Sequence, residues 1–131
     1  MGMAEQHTEV EKQYVTWEEV ENFVREVKTR SESLYTGVYG VPRGGLVLSV
    51  MISHALSILL LHAPTNGCII VDDICDSGES LLHYFKNTSG NGRNNYHIMT
   101  MFYKQNELGV VPEYYAMEKK DKWIVFPWEV E

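Results

Sequence analysis

The sequence predicts an α/β domain, with a doubly wound, mainly parallel sheet and helices on both faces. Three observations predict it. Short apolar or β-rich runs (Leu34–Val41, Ile58–Leu61, Cys68–Val71 and His97–Tyr103) alternate with stretches of helical pattern. Runs that are apolar on every residue suit strands covered on both faces, as in a central parallel sheet. One of them ends in acidic residues, at the strand end where open α/β sheets bind their ligands.

In chain order, residues 1–12 are polar and are expected to be a frayed terminus, leaving one domain over 13–131. Thr16-Trp17-Glu18-Glu19 has capping-box spacing, a hydroxyl followed three residues later by a carboxylate. Val20, Phe23, Val24 and Val27 then recur on one helical face, which predicts a helix over Trp17–Arg30. Leu34–Val41 reads as a strand that breaks at Pro42-Arg43-Gly44-Gly45. Leu46–Leu56 carries no breaker and reads as a buried helix. Ile58–Leu61 and Cys68–Val71 read as buried strands. A helix is predicted from after Ser77 to Lys86, and a loop over the asparagine- and glycine-rich Asn87–Asn95. His97–Tyr103 is a strand, and Glu113–Met117 and Trp123–Phe126 are shorter ones.

Composition excludes several classes. At 131 residues, 44% hydrophobic and 22% charged, the chain is one globular domain. With 18 acids against 11 bases it lacks the basic face that a nucleic acid needs, so no nucleic-acid partner is expected. The two cysteines, Cys68 and Cys75, have no zinc-ligand spacing. The polar, acidic start is unlike a secretory signal, and a cytoplasmic protein is expected. Gly44–Ala63 is uncharged and long enough for a bilayer, but it holds two histidines and three serines and lacks flanking basic and aromatic anchors. A helix followed by a strand explains it better, and no membrane partner is expected. Asn87-Thr88-Ser89 is read as a chance match to a glycosylation acceptor.

The charge distribution carries the functional signal. From Ser33 to Val71 the sole charged residue is Arg43; immediately afterwards come Asp72, Asp73 and Asp76. In Ile69-Ile70-Val71-Asp72-Asp73-Ile74-Cys75-Asp76-Ser77-Gly78-Glu79-Ser80 a strand ends in paired carboxylates, followed by a Ser-Gly-x-Ser turn opening a helix. Free N–H groups at such a turn suit a phosphate. Paired carboxylates suit sugar hydroxyls or hydrated Mg²⁺. Three aspartates in five residues repel one another unless a cation or donor offsets them.

This segment resembles the ribose-phosphate motif of the type I phosphoribosyltransferases, whose substrate is phosphoribosyl pyrophosphate (PRPP) with Mg²⁺. The likeness is to the purine members, the xanthine–guanine enzymes in particular. Tyr14-Val15-Thr16-Trp17 resembles the entry into the family's first helix, and Val38 to Val47 its pyrophosphate loop. Thr100-Met101-Phe102-Tyr103-Lys104 resembles the strand that delivers a base-binding lysine. Trp123 to Glu129 resembles the C-terminal base-binding segment.

The resemblance implies a role for each residue. Asp72 and Asp73 would hold the ribose hydroxyls with Mg²⁺ close by, directly or through water. Ser77, Gly78, Glu79, Ser80 and Leu81 would cradle the 5′-phosphate, with the Glu79 side chain turned outward. Pro42, Arg43, Gly44 and Gly45 would hold pyrophosphate, with a non-proline cis peptide between Pro42 and Arg43. Asp76 would be catalytic, accepting a proton at N7 of the base. Lys104 would donate to a 6-oxo group, Trp123 would stack on the base and the Ile124 backbone would contact its 2-position. The implied reaction joins guanine, xanthine or hypoxanthine to PRPP, giving the nucleoside 5′-monophosphate and pyrophosphate. The alternative is a PRPP- or nucleotide-binding regulator on the same fold without turnover. One departure stands out. Family members carry a flexible lid after the second strand, and here His62–Gly67 alone separates Ile58–Leu61 from Cys68. A homo-oligomer, dimer or larger, is the expected assembly.

Overall fold

The computed structural model describes residues 10–31, 35–88 and 94–130. Residues 1–9, Leu34, Ser89 of the glycosylation pattern and the middle of the Asn87–Asn95 loop lie outside the described residues.

The first helix, α1 (Trp17–Thr29), starts where its capping box dictates. The Thr16 hydroxyl accepts the Glu19 N–H at 3.1 Å, and the Glu19 carboxylate accepts the Thr16 N–H at 2.9 Å. Two of the N–H groups that a helix start leaves unpaired are thereby satisfied. Val20, Phe23, Val24 and Val27 are buried as their spacing predicts. Each such side chain contributes about 1.5–3 kcal/mol on leaving water.

The main sheet holds β2 (Val38–Gly40), β3 (Ile69–Cys75), β4 (His97–Tyr103) and β5 (Tyr114–Glu118), in that order and parallel throughout. Side chains alternate along β3. Ile69 and Val71 join the core with α1 and α2 (Leu46–Leu56), while Cys68 and Ile70 pack on the other face with Leu81, Leu82, Tyr84 and Phe85 around α3 (Leu82–Thr88). Helices on both faces confirm the doubly wound prediction. A second, two-stranded parallel sheet joins β1 (Lys12–Tyr14) to β6 (Trp123–Val125). The sequence pattern did not predict β1. Lys12 pairs with Trp123, and Glu11 accepts the Trp123 N–H at 2.8 Å, so these residues belong to the fold and not to a frayed end.

Four further expectations change. Strand β3 does not stop before the acids but runs through Asp72 and Asp73 to Cys75, because β4 pairs with it that far. Helix α3 begins at Leu82, leaving Ser77–Leu81 as a turn. Ile58–Leu61 is not a buried strand. It makes one parallel bridge, Leu60 to Val38, at the sheet edge, and Leu59 and Leu60 are exposed. Helix α2 buries Leu48, Ser49 and Ile52 but leaves Leu46 and Val50 exposed, so one face is open in the single chain. Among the described residues no helix is long and apolar enough to cross a membrane.

The capping box gives a direct test. Thr16→Ala should lower unfolding stability by about 1 kcal/mol. Urea denaturation should show a lower midpoint with an unchanged slope, and an unmoved midpoint would contradict the cap's role.

Candidate functional site

The parallel register gathers the sequence-flagged residues at the carboxyl ends of β2 and β3. Two clefts meet there. One, of about 530 Å³, is lined by Pro42, Arg43, Gly44, Asp72, Asp73, Ile74, Ser80, Trp128 and Glu129. The other, of about 380 Å³, is lined by residues 73–78, Ser80 and Leu81 with Lys119, Lys122, Trp123, Ile124, Phe126 and Glu129. Asp73, Ile74, Ser80 and Glu129 line both, so the two form one continuous groove.

The loop after β2 is shaped by glycine. The Val41 carbonyl accepts the Gly45 N–H at 2.8 Å, and Val71 accepts the Val41 N–H at 2.9 Å, folding the loop back against β3. A side-chain carbon on Gly44 would overlap the Asp73 carboxylate, and one on Gly45 would overlap the Val71 carbonyl. Only glycine permits that approach. The Pro42–Arg43 peptide is cis, as the resemblance implied. Arg43 is exposed at the cleft beside Asp72 and Asp73.

Asp72 is 6% exposed, and its Oδ1 accepts the Asp73 N–H at 2.8 Å. The Asp73 carboxylate accepts the Ile74 N–H at 2.7 Å. Burial, with the Asp73 charge behind it, pushes Asp72 up to about 8. Burial also raises Asp73. Two carboxylates that resist joint ionisation are a donor set short of positive charge. They fit Mg²⁺, which binds one or two carboxylates and keeps its remaining places for water and phosphate oxygens. Among the described residues no group of three or more acids, histidines or cysteines forms a complete metal cage.

The turn after β3 supplies N–H donors. Ser77 Oγ accepts the Glu79 N–H at 3.3 Å, and the Gly78 carbonyl accepts the Leu81 N–H at 3.3 Å. Among the described residues the N–H groups of Ser77, Gly78 and Ser80 have no protein partner, which leaves them for an anion. Gly78 has φ +86°, and a side chain there would press on Asn106 and Val110. Glu79 is exposed and lines an adjoining cleft with Asp76, Ser77, Gln105, Asn106 and Glu107, and it is not among the residues lining the other two clefts.

At the other end stand Asp76, Trp123 and Ile124. Pairing of β6 with β1 fixes Trp123, whose side chain stays 64% exposed over the smaller cleft, while Ile124 is buried. Phe126 stacks on Trp128 at 4.9 Å between ring centroids, and Trp128 meets Trp17 at 6.0 Å, backing this wall. Burial, with the nearby Asp72 and Asp76 charges, pushes the Cys75 thiol up to about 11, so it is a neutral wall group rather than a nucleophile.

Lys104 departs from its expected place. Its side chain is 46% exposed, its Nζ lies 3.7 Å from Asp121, and it is not among the residues lining the groove. The lysine beside Asp76 is Lys119, 3.8 Å from Asp76 Oδ2 and 16% exposed. Sequence reading missed Lys119, and it placed Glu129 in the base-binding segment without a role of its own. Lys119 sits in Glu118-Lys119-Lys120-Asp121-Lys122, which looks like a solvated charge run until β5 is known to pair with β4. Glu129 accepts the Phe126 N–H at 2.8 Å, a contact that the sequence does not signal.

The segment before β3 is no lid. Gly67 donates its N–H to the Asn95 carbonyl at 3.0 Å, Asn66 Oδ1 accepts the Asn95 N–H at 2.6 Å, and Thr36 donates to the Asn66 carbonyl at 3.0 Å. These bonds tie it to the amino ends of β2 and β4, opposite the groove.

A parallel α/β domain with a turn of free N–H groups and a carboxylate pair at the carboxyl end of one strand has the architecture of open α/β sheets that bind ligands at that end. No family model matches the chain. It is 24% identical over 144 aligned positions to a xanthine-guanine phosphoribosyltransferase of Idiomarina loihiensis, covering 89% of this chain and 86% of that protein. A purine phosphoribosyltransferase of Pyrococcus horikoshii is 30% identical with a TM-score of 0.74, over 92% of this chain and 95% of that one. A xanthine-guanine-hypoxanthine phosphoribosyltransferase of Helicobacter pylori shares the fold at a TM-score of 0.71 and 20% identity, over 91% and 94%. The chain belongs to the type I phosphoribosyltransferase family and resembles its xanthine–guanine members.

The carboxylate pair gives a stability prediction. Raised carboxylate pKa values mean that the folded protein holds protons which the unfolded chain releases, so stability is greatest at low pH and falls between about pH 4 and pH 8. Asp72→Asn should therefore raise the melting temperature at pH 8 by about 5 °C, and by much less at pH 5. An equal shift at both pH values would contradict the protonated pair.

Proposed function

We propose that the protein transfers the phosphoribosyl group of PRPP to a 6-oxopurine (guanine, xanthine or hypoxanthine), giving the nucleoside 5′-monophosphate and pyrophosphate. The observation that carries this reading is the continuity of the groove: phosphate turn, carboxylate pair and aromatic pocket all meet along residues 73–80. A phosphoribosyl donor and a purine laid end to end match that order. The xanthine-guanine and purine names of the relatives support the same reading.

In this reading the free N–H groups of the 77–80 turn hold the 5′-phosphate. Asp72 and Asp73 accept from the ribose hydroxyls, which fixes C1′ between the two clefts. Arg43 and the N–H groups of the glycine loop hold pyrophosphate. Asp72 and Asp73 would also hold Mg²⁺, which when bound supplies charge neutralisation on the leaving diphosphate. The base lies between Trp123 and the Asp76 side of the pocket. As the bond from base N9 to C1′ forms, the bond from C1′ to pyrophosphate breaks, and pyrophosphate leaves with the electron pair. Asp76 takes the proton released from N7. An oxo preference rests on the two lysines at this end of the sheet, Lys104 and Lys119, which donate and cannot accept.

One observation favours the second reading, a PRPP- or nucleotide-binding regulator without turnover. The segment that would form a lid is short and bonded to the far end of the sheet. Water exclusion would then fall to another segment or to a second copy of the chain.

A spectrophotometric assay with guanine, xanthine, hypoxanthine and adenine, each with PRPP and Mg²⁺, separates the two. Nucleotide formation from oxopurines is expected, and product from none would leave the regulator. Asp76→Asn should lower kcat by about 10²–10⁴-fold while PRPP affinity stays unchanged. Full activity in that variant would remove Asp76 from the chemistry.

A further inference from the structure

The cleft that adjoins the turn after β3, of about 690 Å³, is lined by Asp76, Ser77, Glu79 and residues 105–108. Asp76 and Ser77 also line the groove, so cleft and groove meet across the turn. The loop after β4 is pinned there. Asn106 Oδ1 accepts the Val110 N–H at 3.0 Å, and Asn106 Nδ2 donates to the Val110 carbonyl at 2.9 Å. A side-chain carbon on Gly78 would lie 2.9 Å from Asn106 Oδ1, so the loop rests against the turn itself. Glu107 therefore stands on a held loop in the same cleft as Glu79, whose own N–H is held by Ser77 Oγ at 3.3 Å.

Charge divides the site. Three carboxylates line this cleft, those of Asp76, Glu79 and Glu107, and none of its lining residues is basic. Asp76 has Lys119 at 3.8 Å, but among the described residues Glu79 and Glu107 form no ion pair. The cations stand elsewhere, Arg43 in one cleft of the groove and Lys119 and Lys122 in the other. The free N–H groups of Ser77, Gly78 and Ser80 suit one phosphate. A second phosphate joined to the first has to leave that cradle, and on the Glu79 side it meets carboxylates, whose repulsion is strongest at low ionic strength. PRPP carries one phosphate at C5′ and a diphosphate at C1′. An acidic end and an Arg43 end match it in one direction only.

We propose that Glu79 and Glu107 are specificity-determining residues: they bar a second phosphate at C5′, which keeps nucleoside di- and triphosphates out of the groove and admits PRPP with its diphosphate toward Arg43. The proposal rests on the phosphoribosyl reading above. Calorimetric titration with guanosine 5′-mono-, di- and triphosphate, in a low-salt buffer without Mg²⁺, tests it apart from turnover. The unsubstituted protein should bind the monophosphate at least about tenfold more tightly than the triphosphate. Glu79→Gln combined with Glu107→Gln should cut that ratio to about threefold or less, with each single variant between. Salt at about 0.3 M should shrink the ratio in the unsubstituted protein. Melting curves establish that each variant is folded. Equal affinity for the two nucleotides in the unsubstituted protein, a ratio unmoved by salt, or a ratio unchanged in the folded double variant overturns the proposal alone. Failure of the unsubstituted protein to bind the monophosphate at all overturns the phosphoribosyl reading together with it.

Discussion

Burial of Asp72, with Asp73 half-buried beside it, at the carboxyl end of a central strand is the constraint on which the site depends. β3 carries Asp72 and Asp73 inside the sheet, where Thr100 on β4 pairs with Asp72. Among the described residues neither forms an ion pair, and burial raises both. A fold that needed only a strand there would gain more from Val or Ile, because carboxylates out of water cost stability unless something offsets them. In the proposed reading, ligand hydroxyls and a cation would offset them. The neighbouring structure follows from this. The loop after β2 must pass close enough that Gly44 lies against Asp73, and the turn after β3 must leave its N–H groups unspent.

The same constraint reconciles an acidic protein with an anionic ligand. The net charge of −7 is spread over the whole chain, whereas Arg43, Lys119 and the turn N–H groups converge on the groove. The proposed phosphorylated sugar would meet this local field, while a long polyanion would meet the acidic remainder of the surface. The β1–β6 sheet, far from the carboxylates in sequence, takes part as well. It stands Trp123 at the base end with its ring uncovered, and the Phe126–Trp128–Trp17 stack stiffens the wall behind it.

Local signals made much of this legible. Thr16 and Glu19 marked the start of α1, and apolar period and turn residues marked α2 and β4. The aspartates, the Ser-Gly-x-Ser turn and the lone Arg43 marked the groove. Long-range pairing was less legible. Asp72 and Asp73 looked like the end of a strand, yet β4 hydrogen-bonds past them, and backbone pairing outweighs the low strand propensity of aspartate. β1 is a strand only because β6 accepts it. Ile58–Leu61 had the composition of a central strand but sits at an edge with Leu59 and Leu60 uncovered. Lys119 lies beside Asp76, and Lys104 beside Asp121, because the register of β5 on β4, invisible in the sequence, decides which lysine meets Asp76.

With Asp72 raised by burial and the neighbouring Asp73 charge, the pair holds a proton in the free protein, which the proposed cation and ribose would displace. Calorimetric titration of PRPP with Mg²⁺ at pH 7, repeated in buffers of different ionisation enthalpy, measures this directly. With Asp72 pushed up to about 8, binding should release about one proton per PRPP, and Asp72→Asn should abolish that release. Binding whose heat is the same in every buffer, or no binding at all, would contradict the claim that the carboxylate pair is the ligand's anchor.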